Sequence, residues 1–134
     1  TPFETERRLV ETRIQDNFTA APVKYDNASF AQPVESPFVV LFVESGAGRN
    51  AVVGSDKAGR HDGVVRCEIY TPVNTGSAAA RILADNLQSL LANISISEGN
   101  ALLVTGPASL GREGQLGDGL YRLTLSVPYL FDCA

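Results

Sequence analysis

One segment, residues 63–94, constrains the fold most, because a strand pattern passes there directly into a helix pattern. In its first part apolar residues alternate with charged ones: Val65, Cys67 and Ile69 against Arg66 and Glu68. Alternation of this kind predicts a strand with one buried face. Pro72 ends it, because proline has no amide to donate to a ladder.

A helix follows the turn. Asn74, Thr75 and Ser77 can accept hydrogen bonds from the amides of a first helical turn, so we expect the helix to begin between Thr75 and Ser77. Apolar residues then recur at spacings of three and four, namely Leu83, Leu87, Leu90, Leu91 and Ile94. This spacing predicts an amphipathic helix that lies on a sheet.

A second helix is expected over residues 1–18. Thr1 and Glu4 form a candidate capping box, and Pro2 occupies the first helical position. The apolar stripe consists of Phe3, Val10, Ile14 and Phe18, and the opposite face carries Arg7, Arg8 and Glu11 among other charges. Such a face is more often solvated, but it also suits a polar contact with a neighbouring subunit.

The remaining segments predict strands and two long loops. Strands are expected at residues 23–26, at 37–44, where a continuous apolar run indicates two covered faces, at 101–105 and at 120–131. Pro128 indicates that its strand ends at an edge or a bulge. Residues 45–62 and 106–117 are Gly-rich and are expected to be long loops. The fold class is therefore α+β, with a largely antiparallel sheet of about four to five strands and both helices on one face.

Amino-acid composition limits the classes of protein to which the chain can belong. The chain of 134 residues, 44% hydrophobic and 19% charged, is typical of one soluble globular domain, residues 1–134. It has no run of eighteen apolar residues, and the first ten residues mix acids and bases, so we expect neither a membrane span nor a signal peptide. The net charge of -4 argues against sequence-independent nucleic-acid binding. The expected location is the cytosol of the cell that makes it.

No motif predicts an active site, a cofactor or a metal. Residues 106–113 have the glycine spacing of a phosphate-binding loop, but Arg112 and Glu113 replace its Lys and Ser/Thr, and no helix pattern follows. The chain has one histidine, His61, in a Gly-rich segment without a partner evident from sequence. Cys67 and Cys133 are a poor basis for a disulfide framework or a metal site.

Several short strings, in order along the chain, resemble those of one family. They are Pro37-Phe38, YTPVNTGS at 70–77, ADNL at 84–87, Tyr121-Arg122 and SVPY at 126–129. With them the chain resembles the small tail terminator, or tail completion, proteins of long-tailed bacteriophages. The resemblance implies a structural virion protein at the neck. It implies a ring, typically a hexamer, that caps the tail tube, stops its elongation and joins the head connector or head-closure protein, while DNA passes through the lumen without specific binding.

Loop length and charge suggest where contacts would lie. The first choice is Arg49, Lys57 and Arg60, the second is Leu110, Arg112 and Glu113, and the third is Arg7, Arg8 and Glu11. Two alternatives stay open. The chain could be another neck component, such as a head-closure or connector protein, or a small ligand-binding or enzymatic domain with Gly-rich loops over a pocket.

Overall fold

A computed structural model describes residues 2–33, 36–50, 59–74, 76–116 and 119–133. Two helices and seven strands occur in these ranges. They are α1 (Pro2–Asn17), β1 (Val23–Tyr25), β2 (Phe38–Asn50), β3 (Gly59–Pro72), α2 (Ala78–Leu91), β4 (Ser95–Glu98), β5 (Ala101–Thr105), β6 (Ser109–Gln115) and β7 (Leu120–Cys133).

The strands form one mixed sheet in the order β1-β2-β3-β7-β5-β4, and β6 pairs with β7 beside β5. β1 runs parallel to β2, and the other pairs are antiparallel. The α+β class is confirmed. The expected sheet of about four to five strands is too small, because β4 and β6 were not expected, and too uniformly antiparallel, because β1 runs parallel to β2.

Residues 45–50 and 59–62 of the first Gly-rich segment extend the paired strands β2 and β3, so the expectation of a loop over residues 45–62 is wrong at these positions. β2 and β3 stay paired as far as Asn50 opposite Gly59, with a register shift between Ser45 and Gly48. We call residues 45–50 and 59–63 the arm. Its pairing uses backbone groups, which every residue except proline can supply, so glycine-rich composition did not reveal it. Residues 51–58 lie outside the described residues.

The second segment also contains a strand, which corrects the expected loop over residues 106–117. β6 pairs with β7 from Ser109 opposite Ser126 to Gln115 opposite Tyr121. The register shifts between Arg112 and Gly114, and Gly114 has a φ of 76°. A bulge with glycine in the left-handed region interrupts the alternation that sequence analysis depends on.

The expected edge or bulge at Pro128 is wrong, because β7 lies inside the sheet. Pro128 sits opposite Val64 of β3, at the point where the other neighbour of β7 changes from β6 to β5. There the carbonyl of Pro128 accepts a hydrogen bond of 2.8 Å from the amide of Gly106. A missing amide costs little at this junction, since no ladder residue lies directly opposite on that side.

Both helices share one core with one face of the sheet. The register places Val65 opposite Val127, Cys67 opposite Leu125 and Ile69 opposite Leu123, and all six side chains are buried. The predicted alternation of β3 and β7 is therefore confirmed. α2 buries Ala80, Leu83, Ala84, Leu87 and Leu91 against this face. It begins at Ala78, close to the predicted start, although the Ser77 side chain makes no capping hydrogen bond.

The opposite face of the sheet has no helix over it in the described part of the chain. At β2 it is covered instead by Phe30, whose ring lies 5.8 Å from that of Phe38, and Phe38 stacks on Tyr70 at 4.8 Å. This cover explains why β2 is apolar on both faces. We call the rest of this side, along β3, β7 and β5, the open face.

One glycine is required by a close approach. An added Cβ at Gly63 would come within 2.6 Å of three atoms of the Tyr129 ring, which crosses directly over it. Gly63→Ala should therefore displace a buried tyrosine and lower the free energy of unfolding by about 1–3 kcal/mol, as overpacking does. Urea unfolding monitored by circular dichroism measures this.

Gly111→Ala is the matched control. Its added Cβ would meet no atom closer than the Thr124 carbonyl at 3.9 Å. A change within about 0.5 kcal/mol is expected there. If both variants unfolded at the same urea concentration, the described packing of Tyr129 on Gly63 would be wrong.

Candidate interaction surfaces

A buried polar cluster lies where α1 meets the base of the arm. Glu6 of α1 is 0% exposed. Its carboxylate accepts hydrogen bonds from Ser45 Oγ of β2 at 3.0 Å and from Tyr129 Oη of β7 at 3.2 Å. His61 of β3 places Nδ1 at 3.9 Å from Glu6 Oε1. Four elements are therefore joined through one side chain.

Aromatic packing encloses His61. Its ring stacks on Phe3 at 4.8 Å and lies parallel to Phe131 at 6.4 Å. Burial, with the neighbouring Glu6 carboxylate, raises the pKa of Tyr129 to about 12, so this tyrosine stays neutral and donates its proton. Sequence analysis missed the cluster, although a signal existed: Glu6 fills the gap between Phe3 and Val10 on the apolar stripe of α1.

The cluster is packed rather than cleft-like. A surface recess of about 350 Å³ near it opens on the other side of the sheet and is lined by Val104, Pro128 and Leu130, with Asp62 at one wall. Tyr129 and Gly63 also line it, whereas Glu6 and His61 do not. The Glu6 carboxyl and the His61 imidazole therefore connect elements of the fold and do not border this recess.

The open face is divided into a charged region and an apolar one. In the charged region, Arg66 pairs with Glu44 at 2.9 Å and lies over the Phe42 ring, while Arg122 contacts Glu113 and Tyr70. In the apolar region, Leu102, Val104 and Leu130 are each 39–40% exposed around the recess. Exposed apolar residues grouped on a sheet are typical of a surface that binds another protein.

The first group of predicted contact residues lies on or beyond the arm. Arg49 and Arg60 are cross-strand partners, but the described side chains include only that of Arg60. Arg60 forms two hydrogen bonds with the Asp132 carboxylate, at 2.6 and 3.0 Å. Lys57 lies outside the described residues. The arm thus carries two arginines, and one of them, Arg60, is already paired with Asp132 of β7.

The second group lies on β6, far from the arm. Leu110 is exposed, Arg112 lies 6.0 Å from the centre of the Tyr121 ring, and Glu113 binds Arg122 and Thr124. Arg112 pairs with Leu123 and Arg60 with Asp132, nine residues further along β7. Nine residues of strand span about 30 Å, so the two groups belong to different surfaces.

The third group lies on α1, next to the arm. Arg7 binds Glu4 and Glu11 within the helix, and Arg8 reaches Glu98 of β4 with bonds of 2.5 and 2.7 Å. These partners raise the pKa values of both arginines. Exposed pairs contribute little to stability, so the face remains available for contacts.

Metal and membrane features are absent from the described part of the chain. No three His, Cys, Asp or Glu side chains there come together as ligands. Among the helices described, none has the length and hydropathy needed to cross a bilayer. Cys67 is a buried free thiol, and burial raises its pKa to about 12, which keeps it protonated and unreactive.

A family model described as "Phage tail terminator protein" matches residues 6–129, nearly the whole chain. The chain belongs to the phage tail terminator family. Members of this family are structural virion proteins. No curated protein sequence matches the chain significantly.

Solved structures share the fold of this tail terminator family member. One superimposes with a TM-score of 0.67 and 22% identity, covering 97% of this chain and 90% of that one. A second is a chain from the "virion of native gene transfer agent (GTA) particle", with a TM-score of 0.64, 19% identity and coverage of 94% and 93%. At these identities the similarity establishes the fold.

Removal of one hydroxyl tests the polar cluster. Tyr129→Phe keeps the ring on Gly63 and deletes the bond to Glu6, which should cost about 1–3 kcal/mol. The raised pKa of Tyr129 also predicts a pH dependence of stability. The unfolded state loses its phenolic proton at a lower pH than the folded state, so the free energy of unfolding falls as pH rises from about 10 to about 12. Chemical denaturation at pH 7, 10 and 11.5 should show a smaller decline in the variant.

Tyr121→Phe serves as the control for that substitution. Tyr121 is half-buried, and Arg112 lies over the face of its ring, a contact that phenylalanine keeps. We expect a change within about 0.5 kcal/mol. Equal losses in the two variants would contradict the hydrogen bond assigned to Tyr129.

Proposed function

We propose that this protein is a ring-forming tail terminator. It caps the tail tube, stops its elongation and offers the head connector or head-closure protein a surface to join. The observation that carries the proposal is the family match over residues 6–129, which spans α1 from Glu6 onward, all of α2 and the sheet apart from the last few residues of β7. The action is stoichiometric capping, without catalytic turnover.

The two-layer fold supports assembly into a ring. Helices lie on one side of the sheet, and the open face lies on the other, so the two sides of one copy differ. Unlike surfaces favour head-to-tail contacts between copies, and such contacts close into a ring when the rotation between copies divides a full turn. A hexamer is the ring size that we propose from the family resemblance.

The segment from residue 45 to residue 63 carries the cations that we propose first as contacts. Arg49, Lys57 and Arg60 are our first choice for contacts with the tube protein or an adjacent subunit. We place Leu110, Arg112 and Glu113 at a second contact, and Arg7, Arg8 and Glu11 at a third. The distance of about 30 Å along β7 between the first two sets would let them meet different partners.

DNA would pass through the lumen of this ring during packaging or ejection. The chain has 15 acidic and 11 basic side chains, so its net charge of -4 disfavours tight binding of phosphates. A lumen wall that does not bind DNA tightly allows the DNA to pass through the ring. In this proposal the protein acts in the virion neck and is assembled in the host cytoplasm.

Particles that lack the protein distinguish a terminator from another neck component. Deletion of its gene should give tails that are longer than normal and have no heads, because tube polymerisation continues without a cap. Negative-stain electron microscopy of the lysate measures tail length and attachment. Tails of normal length beside unattached heads would contradict a terminator and favour a connector or head-closure protein.

Removal of the three cations tests the contact proposed for residues 45–63. Arg49→Ala, Lys57→Ala and Arg60→Ala together should leave the fold intact and reduce the yield of joined particles at least about tenfold, the effect of losing about 1.4 kcal/mol at a contact. A complementation assay in the deletion strain measures this yield. The matched control removes cations elsewhere, with Lys24→Ala and Arg81→Ala, and should keep normal yield. Normal yield from the triple variant would remove the arm from the contact surface.

A further inference from the structure

The apolar region of the open face has the residue pattern of strands that are covered on both sides. β5 contains the run Ala101–Val104 and β7 the run Pro128–Phe131, so apolar side chains point to both faces of each strand. Continuous apolar runs of this kind are typical of two covered faces. Earlier in β7 the pattern differs, because Arg122, Thr124 and Ser126 occupy the open face there. The apolar region therefore has the composition of a contact surface, and the charged region does not.

The described residues leave this apolar region exposed. At β2 the ring of Phe30 covers the open face, but Leu102, Val104 and Leu130 remain 39–40% exposed, and Pro128 is exposed between the strands. Val104, Pro128 and Leu130 line the recess of about 350 Å³. The region is therefore concave and apolar, and it is suited to receive a projecting apolar side chain.

The open face is large enough for a stable contact with a folded partner. It extends about 45 Å along the 14 residues of β3 and is three to five strands wide, at about 4.8 Å for each strand. Its area is on the order of 800 Å², which is what a standard protein interface buries on each partner. A short peptide would cover only part of this area, so a folded chain is the better partner.

A second copy of this chain offers a matching surface on its helix side. Ala78, Ala79 and Ile82 of α2 point away from the sheet and are exposed, Ile82 by 59%. Residues three and four apart are neighbours on a helix surface, so the three side chains form one apolar patch. We call these three residues the α2 corner. An isoleucine that projects between two small alanines has the shape that a recess requires.

Electrostatics favour the same match. Asp62 brings a carboxylate to the wall of the recess. The α2 corner is the N-terminal end of a helix of 14 residues whose first turn contains no acidic residue, so it presents the positive end of the helix dipole. Phe3 of α1 is equally exposed, but its ring already stacks on His61, and the charged Glu4 lies beside it. The α2 corner is therefore the better partner for the recess.

We propose that the α2 corner of one copy packs into the open-face recess of the next copy, and that this contact joins neighbouring subunits of the ring. The inference rests on the ring in the proposed function. Corner and recess lie on opposite sides of the sheet, so the contact is head-to-tail and can repeat around a closed ring. A contact between two open faces would instead relate two copies by a two-fold axis and end at a dimer.

Cysteine cross-linking tests which surfaces meet. The background variant is Cys133→Ser, in which the buried Cys67 is the one remaining native thiol. Ala79→Cys places a thiol in the α2 corner, and Leu102→Cys places one beside the recess, on the same face of β5 as Val104. Ile82 and Leu130 stay unaltered. The purified chain at high concentration and the assembled particles are both treated with a short bismaleimide and separated on a denaturing gel.

The matched control moves one thiol along the same helix. Ser89→Cys is also exposed and lies about 15 Å further along α2 than Ala79. Ala79→Cys with Leu102→Cys should give a ladder of multimers that ends at the ring size. Each single variant, and Ser89→Cys with Leu102→Cys, should remain monomeric. Dimers from Leu102→Cys alone would show that two open faces meet and would overturn the proposal, as would absence of the ladder from both samples.

Substitutions in the two surfaces give a second test. Ile82→Gln keeps a good helix former, and Leu130→Thr keeps a good strand former, while each removes the apolar contact. Each should keep the circular dichroism of the unaltered protein and lower the yield of joined particles at least about tenfold, as loss of part of a subunit contact does. Ser89→Gln is the control on α2 and should keep normal yield. Normal yield from both Ile82→Gln and Leu130→Thr would overturn the proposal.

The cross-linking result is independent of the gene-deletion phenotype, so the two proposals fail separately. If the ladder forms but deletion leaves tails of normal length, the contact between corner and recess stands and the terminator role fails. If deletion gives overlong tails without heads but no ladder forms, the terminator role stands and this contact fails.

Discussion

The antiparallel ladder between β3 and β7 is the interaction on which the rest of the structure depends. It runs without a register shift from Gly59 opposite Cys133 to Pro72 opposite Leu120. Its inward residues form the middle of the core, and each helix packs against this sheet. The ladder includes residues 59–63 of the arm, which pair with residues 129–133 of β7. Core and arm are one continuous element.

The inner face of this ladder was predictable from sequence because burial leaves a period-two pattern in residue type. Alternate residues from Val65 to Ile69 and from Leu123 to Tyr129 follow that pattern and are buried as predicted. The arm, β6 and the surroundings of Pro128 were not predictable, because backbone pairing there depends on neighbours distant in sequence. Gly46, Gly63 and Gly111 give no periodic signal in the sequence, although the ring of Tyr129 determines the space around Gly63.

For the predicted contact residues, the sequence indicated the elements that carry them but not their partners within the fold. Loop length and charge indicated contact residues on or near the arm, on β6 and on α1, and the described side chains among them are partly or fully exposed. The partners of these residues could not be predicted: Arg60 with Asp132, Arg8 with Glu98 and Glu113 with Arg122 are separated by many residues in sequence. A buried glutamate on an apolar stripe was the one overlooked signal that pointed to the base of the arm.

These features support a structural role, in which the protein acts through contacts between surfaces. The sandwich has two unlike sides, an apolar region on its open face and a buried polar cluster that joins α1 to β2, β3 and β7. Cryo-electron microscopy of the assembled particle tests this account most directly. It predicts a closed ring of this chain between the tail tube and the head, with the open face of each copy covered by its neighbour. Density for the chain elsewhere in the particle, or isolated copies with uncovered open faces, would contradict it.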